Sequence, residues 1–274
     1  MSHVDLHLHL LPGVDDGPAD EAASLVHARR MIAGGVHEAV VTPHVGHPHF
    51  AFDLREIPER TRALQAVLDR EGLDLTLHPG AELHPSGAAA LTREELALVA
   101  HGPTGARWVL LEVPFAGVDE EFSETCRTIR GHGFGLLIAH PERARGLLSG
   151  EGIGRLRAEM ARGAVLQVNV CSLLGTHGAE AQTTARRLIR AGFAYVLASD
   201  GHGGNRGHTL AAGPMLAQAA GASRLQSWQL TQANPRFLLQ HGIPATLGPE
   251  DRVATRTART RRIAGVMAAA RGRR

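Results

Sequence analysis

From Val4 to Leu10 the chain alternates strictly: Val4, Leu6, Leu8 and Leu10 are interleaved with Asp5, His7 and His9. A period of two separates such sets onto the two faces of a β-strand. The pattern therefore predicts a strand with three polar side chains on one face. Leu11-Pro12-Gly13 stops it, and Asp15-Asp16-Gly17-Pro18 predicts a turn. Helical spacing follows over 19–34, with acids at its start and Gly34-Gly35 at its end. The short apolar run 38–42 reads as a buried strand closed by Pro43 and His44. Further on, helices are predicted at 54–71, 92–101, 118–131, 151–162 and 179–191, and the stretch 208–240 as helical. The helix at 92–101 has Thr92 as cap and Glu95 three residues on. Strands are predicted at 73–83, 107–113, 133–140, 164–170 and 194–202. Seven strands alternating with helices imply an α/β fold with parallel strands, either a barrel or an open doubly wound sheet. No repeat or composition break occurs before about residue 248, so the reading is one domain, 1–248, with a tail, 249–274.

Polar residues fall where such strands should be apolar. His7, His9, His44, Glu82, Glu112, His140, Asp200 and His202 all lie at or just past a predicted strand end, and Asp16 lies in the first turn. In βα barrels the C-terminal strand ends converge on one rim, where the active site is built. Each residue also has an ordinary reading: His44 in a turn, Glu112 as a paired core acid, Asp200 as a helix cap. A single convergent site accounts for all of them together. The donors are imidazole and carboxylate without thiolate, which suits Mn²⁺, Fe²⁺ or Zn²⁺ at a catalytic site. There are enough donors for two or three ions, and a carboxylate such as Glu82 can bridge two of them. Clusters of this kind act on phosphate esters. Arg143, three residues past His140, and Arg206, after His202, are candidates for the phosphate, and His44 is both a ligand and a catalytic candidate. The two arginines read otherwise as surface charges.

Composition sharpens this picture. Seventeen residues are histidine and none is lysine. Missing lysine removes a P-loop nucleotide site, Schiff-base chemistry and a metal site bridged by a modified lysine. Residues 252–274 hold eight arginines and no acid, and taking those eight charges from the formal +2 leaves the rest at about −6. Nucleic acid is therefore not the expected partner of the folded domain. The tail itself suits an acidic lipid surface or acidic partner, or a solvated extension. No run of ~18 apolar residues and no basic-then-apolar leader occur, so a soluble cytoplasmic protein is expected. Cys126 and Cys171 make no disulfide framework. Six residues after each stands a histidine, His132 or His177, where a C-x5-R phosphate loop needs arginine.

The motifs H-x-H-x-L-P-G-x-D-D-G at 7–17, TPH at 42–44, GAE at 80–82, LLE at 110–112, AHPER at 139–143 and SDGH at 199–202 resemble the PHP superfamily of metal-dependent phosphoesterases. The LPGVDDGP turn is similar to that of the bacterial tyrosine-protein phosphatases encoded beside capsule and exopolysaccharide kinases. The resemblance spans about residues 3–240. It implies a distorted seven-stranded (β/α) barrel with three divalent ions, usually manganese, and a phosphotyrosine protein, such as a tyrosine kinase of polysaccharide biosynthesis, as substrate. Carried over residue by residue, it makes His7, His9, Glu82 and Asp200 ligands of one ion. Glu82, Glu112 and His140 would serve a second, and Asp16, His44 and His202 a third. Arg143 matches the family's phosphate-binding arginine, whereas the loop around Arg206 departs from the family's spacing. Competing readings are a small-molecule phosphatase on the same scaffold, such as one for histidinol phosphate, and a non-catalytic PHP binding module.

Overall fold

The computed structural model describes residues 2–149 and 151–246; the arginine-rich tail lies outside the described residues. Among the described residues nine strands are formed: β1 (His3–Leu8), β2 (Val36–Val41), β3 (His44–Val45), β4 (Thr76–Pro79), β5 (Glu82–Leu83), β6 (Trp108–Glu112), β7 (Gly135–Ala139), β8 (Val165–Asn169) and β9 (Ala194–Ala198). Between them run α1 (Glu21–Ala33), α2 (Ile57–Arg70), α3 (Pro85–Ala88), α4 (Arg93–Val99), α5 (Glu120–Gly131), α6 (Gly152–Ala161), α7 (Val170–Leu174) and α8 (Gly178–Arg190). After β9 come α9 (Gly213–Ala219), α10 (Arg224–Trp228) and α11 (Asn234–His241). The capping box expected at Thr92 and Glu95 starts α4. The stretch expected as helical over 208–240 is broken once, and its second part runs from α10 into α11 through a π-helical turn at Gln229–Ala233. Gly221 sits at φ 103°, in the left-handed region, and Ser223 then caps a new start.

All strand pairs are parallel, as the βα alternation requires, and they form a three-stranded sheet, β1-β2-β4, and a six-stranded one, β3-β5-β6-β7-β8-β9. Among the described residues these ladders do not close into one ring, and the distorted seven-stranded barrel that the resemblance implies is seen only as parallel sheets of three and six strands. The strand expected over 73–83 is interrupted at Gly80-Ala81, and the strand expected over 38–42 stops before Pro43 but is followed by the two-residue β3; each break hands the chain from the smaller sheet to the larger. Pro43 has no N–H for a ladder. At Gly80 the backbone is pressed so close that a Cβ would lie 2.4 Å from Val40 Cγ1. At the other seam, β1 meets the segment after β9 through one bridge, Leu8 to Gly201, with Asp200 N donating to the His7 carbonyl at 3.0 Å. The buried Asp5 carboxylate occupies the next place, accepting from Ser199 N at 3.1 Å, so a side chain stands where a backbone carbonyl would continue the ladder.

Apolar burial holds both faces of the strands. The larger core packs the helices against the sheets, for example Met31, Leu68, Phe122, Ile129 and Leu188. A smaller core gathers Leu6, Trp108, Leu110, Leu137 and Val196. Along β6 the positions Trp108, Leu110 and Glu112 share one face, so this core ends at the strand's C-terminal edge in a carboxylate. No described helix is long and apolar enough to cross a membrane.

Candidate metal centre

The residues expected at the strand ends do come together. His7 is the last residue but one of β1 and His9 follows the strand; His44 starts β3, Glu82 starts β5 and Glu112 ends β6. His140 follows β7, and Asp200 and His202 follow β9. Glu82 is the hub. Its Oε2 lies 3.2 Å from His7 Nε2, 3.2 Å from His9 Nε2 and 3.2 Å from His44 Nδ1, and its Oε1 lies 2.6 Å from His140 Nε2. Asp200 Oδ1 faces the same two imidazoles, 3.4 Å from His7 Nε2 and 3.5 Å from His9 Nε2. His7, His9, Glu82 and Asp200 thus offer four donor atoms within 4.8 Å of one another. Beside them a second set joins His9, Asp16, His44 and His202, and a third joins His44, Glu82 and Glu112. His140 reaches the cluster through Glu82.

Backbone strain is confined to this place. Among the described residues only His140 (φ 29°) and Asp200 (φ 51°) take positive φ without being glycine, a conformation that costs of order 1–3 kcal/mol where the surroundings impose it. Gly201 lets the chain pass between them and α1, since a Cβ there would lie 2.5 Å from the His208 carbonyl and 2.7 Å from His27 Nε2.

Electrostatics show what kind of group the site suits. Burial alone would raise the Glu82 and Asp200 carboxyls, but the charge of His7 beside each holds both well below the usual carboxylate range. Glu112 has no such help: burial, and then the negative charge of Glu82, push it up to about 9. Its Oε2 is buried without a hydrogen-bond partner. A cation among these carboxylates would satisfy that oxygen and allow Glu112 to ionise. The donor set, imidazole and carboxylate on rigid strand ends, therefore fits divalent ions.

The two arginines differ. Arg143 NH1 donates to Asp200 Oδ2 at 3.1 Å, and its guanidinium lies 4.3 Å over the ring of Phe115, which is 45% exposed at the mouth. Arg206 is spent on Asp16, donating to its carboxylate at 2.9 Å and its carbonyl at 2.6 Å. A further group, His47, His84 and Glu112, lies at the rim. Nδ1 of His47 and of His84 accepts a backbone N–H, from His49 at 3.2 Å and from Ser86 at 3.3 Å, so the neutral rings carry their proton on Nε2.

Sequence reasoning missed the residues that hold the ligands. Asp15 Oδ2 accepts from His9 Nδ1 at 2.7 Å and from His44 N at 3.1 Å; the expectation had used only its neighbour Asp16. Gln167 and Asn169 stand two apart on β8, the same alternation that marks His7 and His9, and that was the available signal. Phe115 had none beyond its place three residues after Glu112.

Known proteins bear on this arrangement in three ways. YwqE of Bacillus subtilis, a tyrosine-protein phosphatase, is 28% identical over 199 residues, 73% of this chain and 77% of its own. CapC of Staphylococcus aureus, named as a candidate tyrosine-protein phosphatase, is 25% identical over 73% of this chain and 76% of its own. Crystal structures of YwqE and of CpsB from Streptococcus pneumoniae, described as metal-dependent tyrosine phosphatases, supply a fold match with TM-score 0.74 and 26% identity, covering 88% of this chain and 96% of the other. With the family model for capsular polysaccharide synthesis proteins CpsB/CapC matching residues 3–239, nearly the whole described chain, the protein belongs to the CpsB/CapC family.

Proposed function

We propose that the protein hydrolyses phosphotyrosine monoesters on a protein, as a metal-dependent phosphatase of polysaccharide biosynthesis acting in the cytoplasm on a bacterial tyrosine kinase. The meeting of His7, His9, Glu82 and Asp200 at one point supports this most strongly. On this reading His7, His9, Glu82 and Asp200 hold one divalent ion, Glu82, Glu112 and His140 a second, and Asp16, His44 and His202 a third, with manganese preferred over iron or zinc. Bound there, such ions polarise a phosphoryl group and lower the pKa of water. The two sheets then act as the staves of one distorted seven-stranded barrel, β2 with β3 and β4 with β5 each counting once.

The chain's own residues supply the rest. Arg143 is a rigid fork, braced by Asp200 on one side and by Phe115 below, and it meets two phosphoryl oxygens at once. The exposed part of the Phe115 ring gives the tyrosyl ring of a substrate an apolar wall. Asp15 fixes the His9 ring and Arg206 fixes Asp16. Neither cysteine suits a thiolate mechanism, because burial pushes the Cys171 thiol up to about 12 and raises Cys126 further.

The test is hydrolysis of p-nitrophenyl phosphate before and after EDTA. Chelation abolishes it, Mn²⁺ restores it, and a phosphotyrosine peptide turns over faster than histidinol phosphate. Activity that survives exhaustive chelation refutes the proposal.

A further inference from the structure

Behind the cluster, β8 carries two amides that bind no cation on the reading above. Gln167 and Asn169 are both fully buried. Gln167 Oε1 lies 3.1 Å from His7 Nδ1 and 3.1 Å from the backbone N of His140. Its Nε2 donates to Asn169 Oδ1 at 2.6 Å, and Asn169 Nδ2 donates to Asp200 Oδ2 at 2.7 Å.

Amide orientation is normally a choice between two flips, but here both ends of the relay are fixed. The backbone N–H of His140 can only donate, so the Gln167 oxygen must face it. At the far end the Asp200 carboxylate only accepts, so the Asn169 nitrogen must face it. The middle bond then has one polarity, Gln167 to Asn169. It follows that His7 Nδ1 faces an acceptor with no proton of its own, and must carry the proton itself. The lone pair of the neutral ring is thereby placed on Nε2, the atom 3.2 Å from Glu82, 3.3 Å from His9 Nε2 and 3.4 Å from Asp200.

We propose that Gln167 is a positioning residue that sets the tautomer of His7 and, through Asn169, the orientation of Asp200, so that one neutral relay on β8 aligns two ligands of the same ion. His9 obtains the same service from a carboxylate, Asp15. The relay differs in using no charge in a basin already rich in acid, where another carboxylate would add to the repulsion that raises Glu112. The relay reaches Arg143 as well. Asn169 N and Ser172 Oγ both donate to Glu142 Oε1, at 2.9 and 2.8 Å, in the turn that ends in Arg143.

This inference rests on the metal-dependent reading, and its test is separate from turnover. Zn²⁺ affinity is measured by chelator competition, and the His7 ring is assigned by ¹⁵N NMR of the Zn²⁺-loaded chain. Wild type shows the His7 proton on Nδ1. Gln167→Met, close in size but unable to accept, loses roughly 10–100-fold in affinity, the usual cost of removing such a partner. Gln167→Glu keeps the acceptor for His7 but gives up the donor to Asn169, so it keeps the Nδ1 proton and recovers only part of the affinity that Gln167→Met loses, a rescue that a merely space-filling role would not give. Wild-type affinity in Gln167→Met, an equal loss in both variants, or a wild-type His7 proton on Nε2 overturns the proposal. If the Met variant does not fold, the wild-type and Glu spectra decide it. Failure of phosphatase activity with these results intact would instead count against the functional reading.

Discussion

His101 offers a test of how sharply the fold separates structural from chemical histidines. It follows α4 and pairs with Trp108 through two backbone bonds of 2.9 and 2.8 Å. Leu6, Val40, Gly80, Val99 and Leu110 line the small void beside it. Although part of the residue reaches solvent, its Nε2 is buried without a partner. Burial, then the positive charges of His78 and Arg107, push the ring down to about 3, from 6.5. A ring lowered in the folded state contributes stability above pH 6.5 and loses it as pH falls toward 3, because the unfolded chain takes up the proton first. At pH 5 the loss spans about 1.5 pH units at ~1.36 kcal/mol each, or about 2 kcal/mol. His101→Leu removes the titration and keeps the backbone bonds. Urea unfolding of both chains in EDTA at pH 7.5 and pH 5.0 is the assay. Wild type is expected to lose about 2 kcal/mol more than the variant over that interval. Equal losses, within about 0.5 kcal/mol, would show that the ring is not held neutral by its surroundings and would refute the reasoning.

Other perturbations probe the site. Arg143→Lys keeps a charge but not the fork, and kcat/KM on p-nitrophenyl phosphate should fall by roughly 10²-fold, the scale of one lost transition-state donor; a change under threefold would remove Arg143 from phosphate binding. Phe115→Ala should raise KM for a phosphotyrosine peptide severalfold more than KM for a small alkyl phosphate, which loses only the brace under Arg143; equal shifts on the two substrates would contradict this. Cys126→Ser should retain its rate within twofold, since the thiol is buried against α6 and far from ionising; loss of activity in a folded variant would revive cysteine chemistry.

Much of the site was legible because a buried parallel strand has a strict composition, so Glu82, Glu112 and His140 stood out against apolar neighbours at strand ends. The same rule could not rank Asp15 against Asp16, two identical side chains one position apart, because which of them meets His9 is decided by the turn. Gln167 and Asn169 obeyed the alternation but are amides, which ordinary half-exposed strands carry freely. The fold was legible as α/β with parallel strands. Its division into two sheets was not, since the breaks depend on how closely Gly80 approaches Val40 and on Asp5 replacing a backbone acceptor. The tail 208–240 looked continuous because nothing in its apolar spacing registers the turn at Gly221.

The left-handed backbone at His140 has a practical corollary. Glycine adopts that conformation freely, so in His140→Gly the relief of about 1 kcal/mol of backbone strain offsets part of the packing lost with the ring. Asp200, Arg143 and Phe115 keep their mutual contacts. On the function proposed above, the variant loses the imidazole beside Glu82 but keeps Arg143 for the phosphoryl group, which makes it a candidate bait for pulling a phosphorylated target from a cell extract.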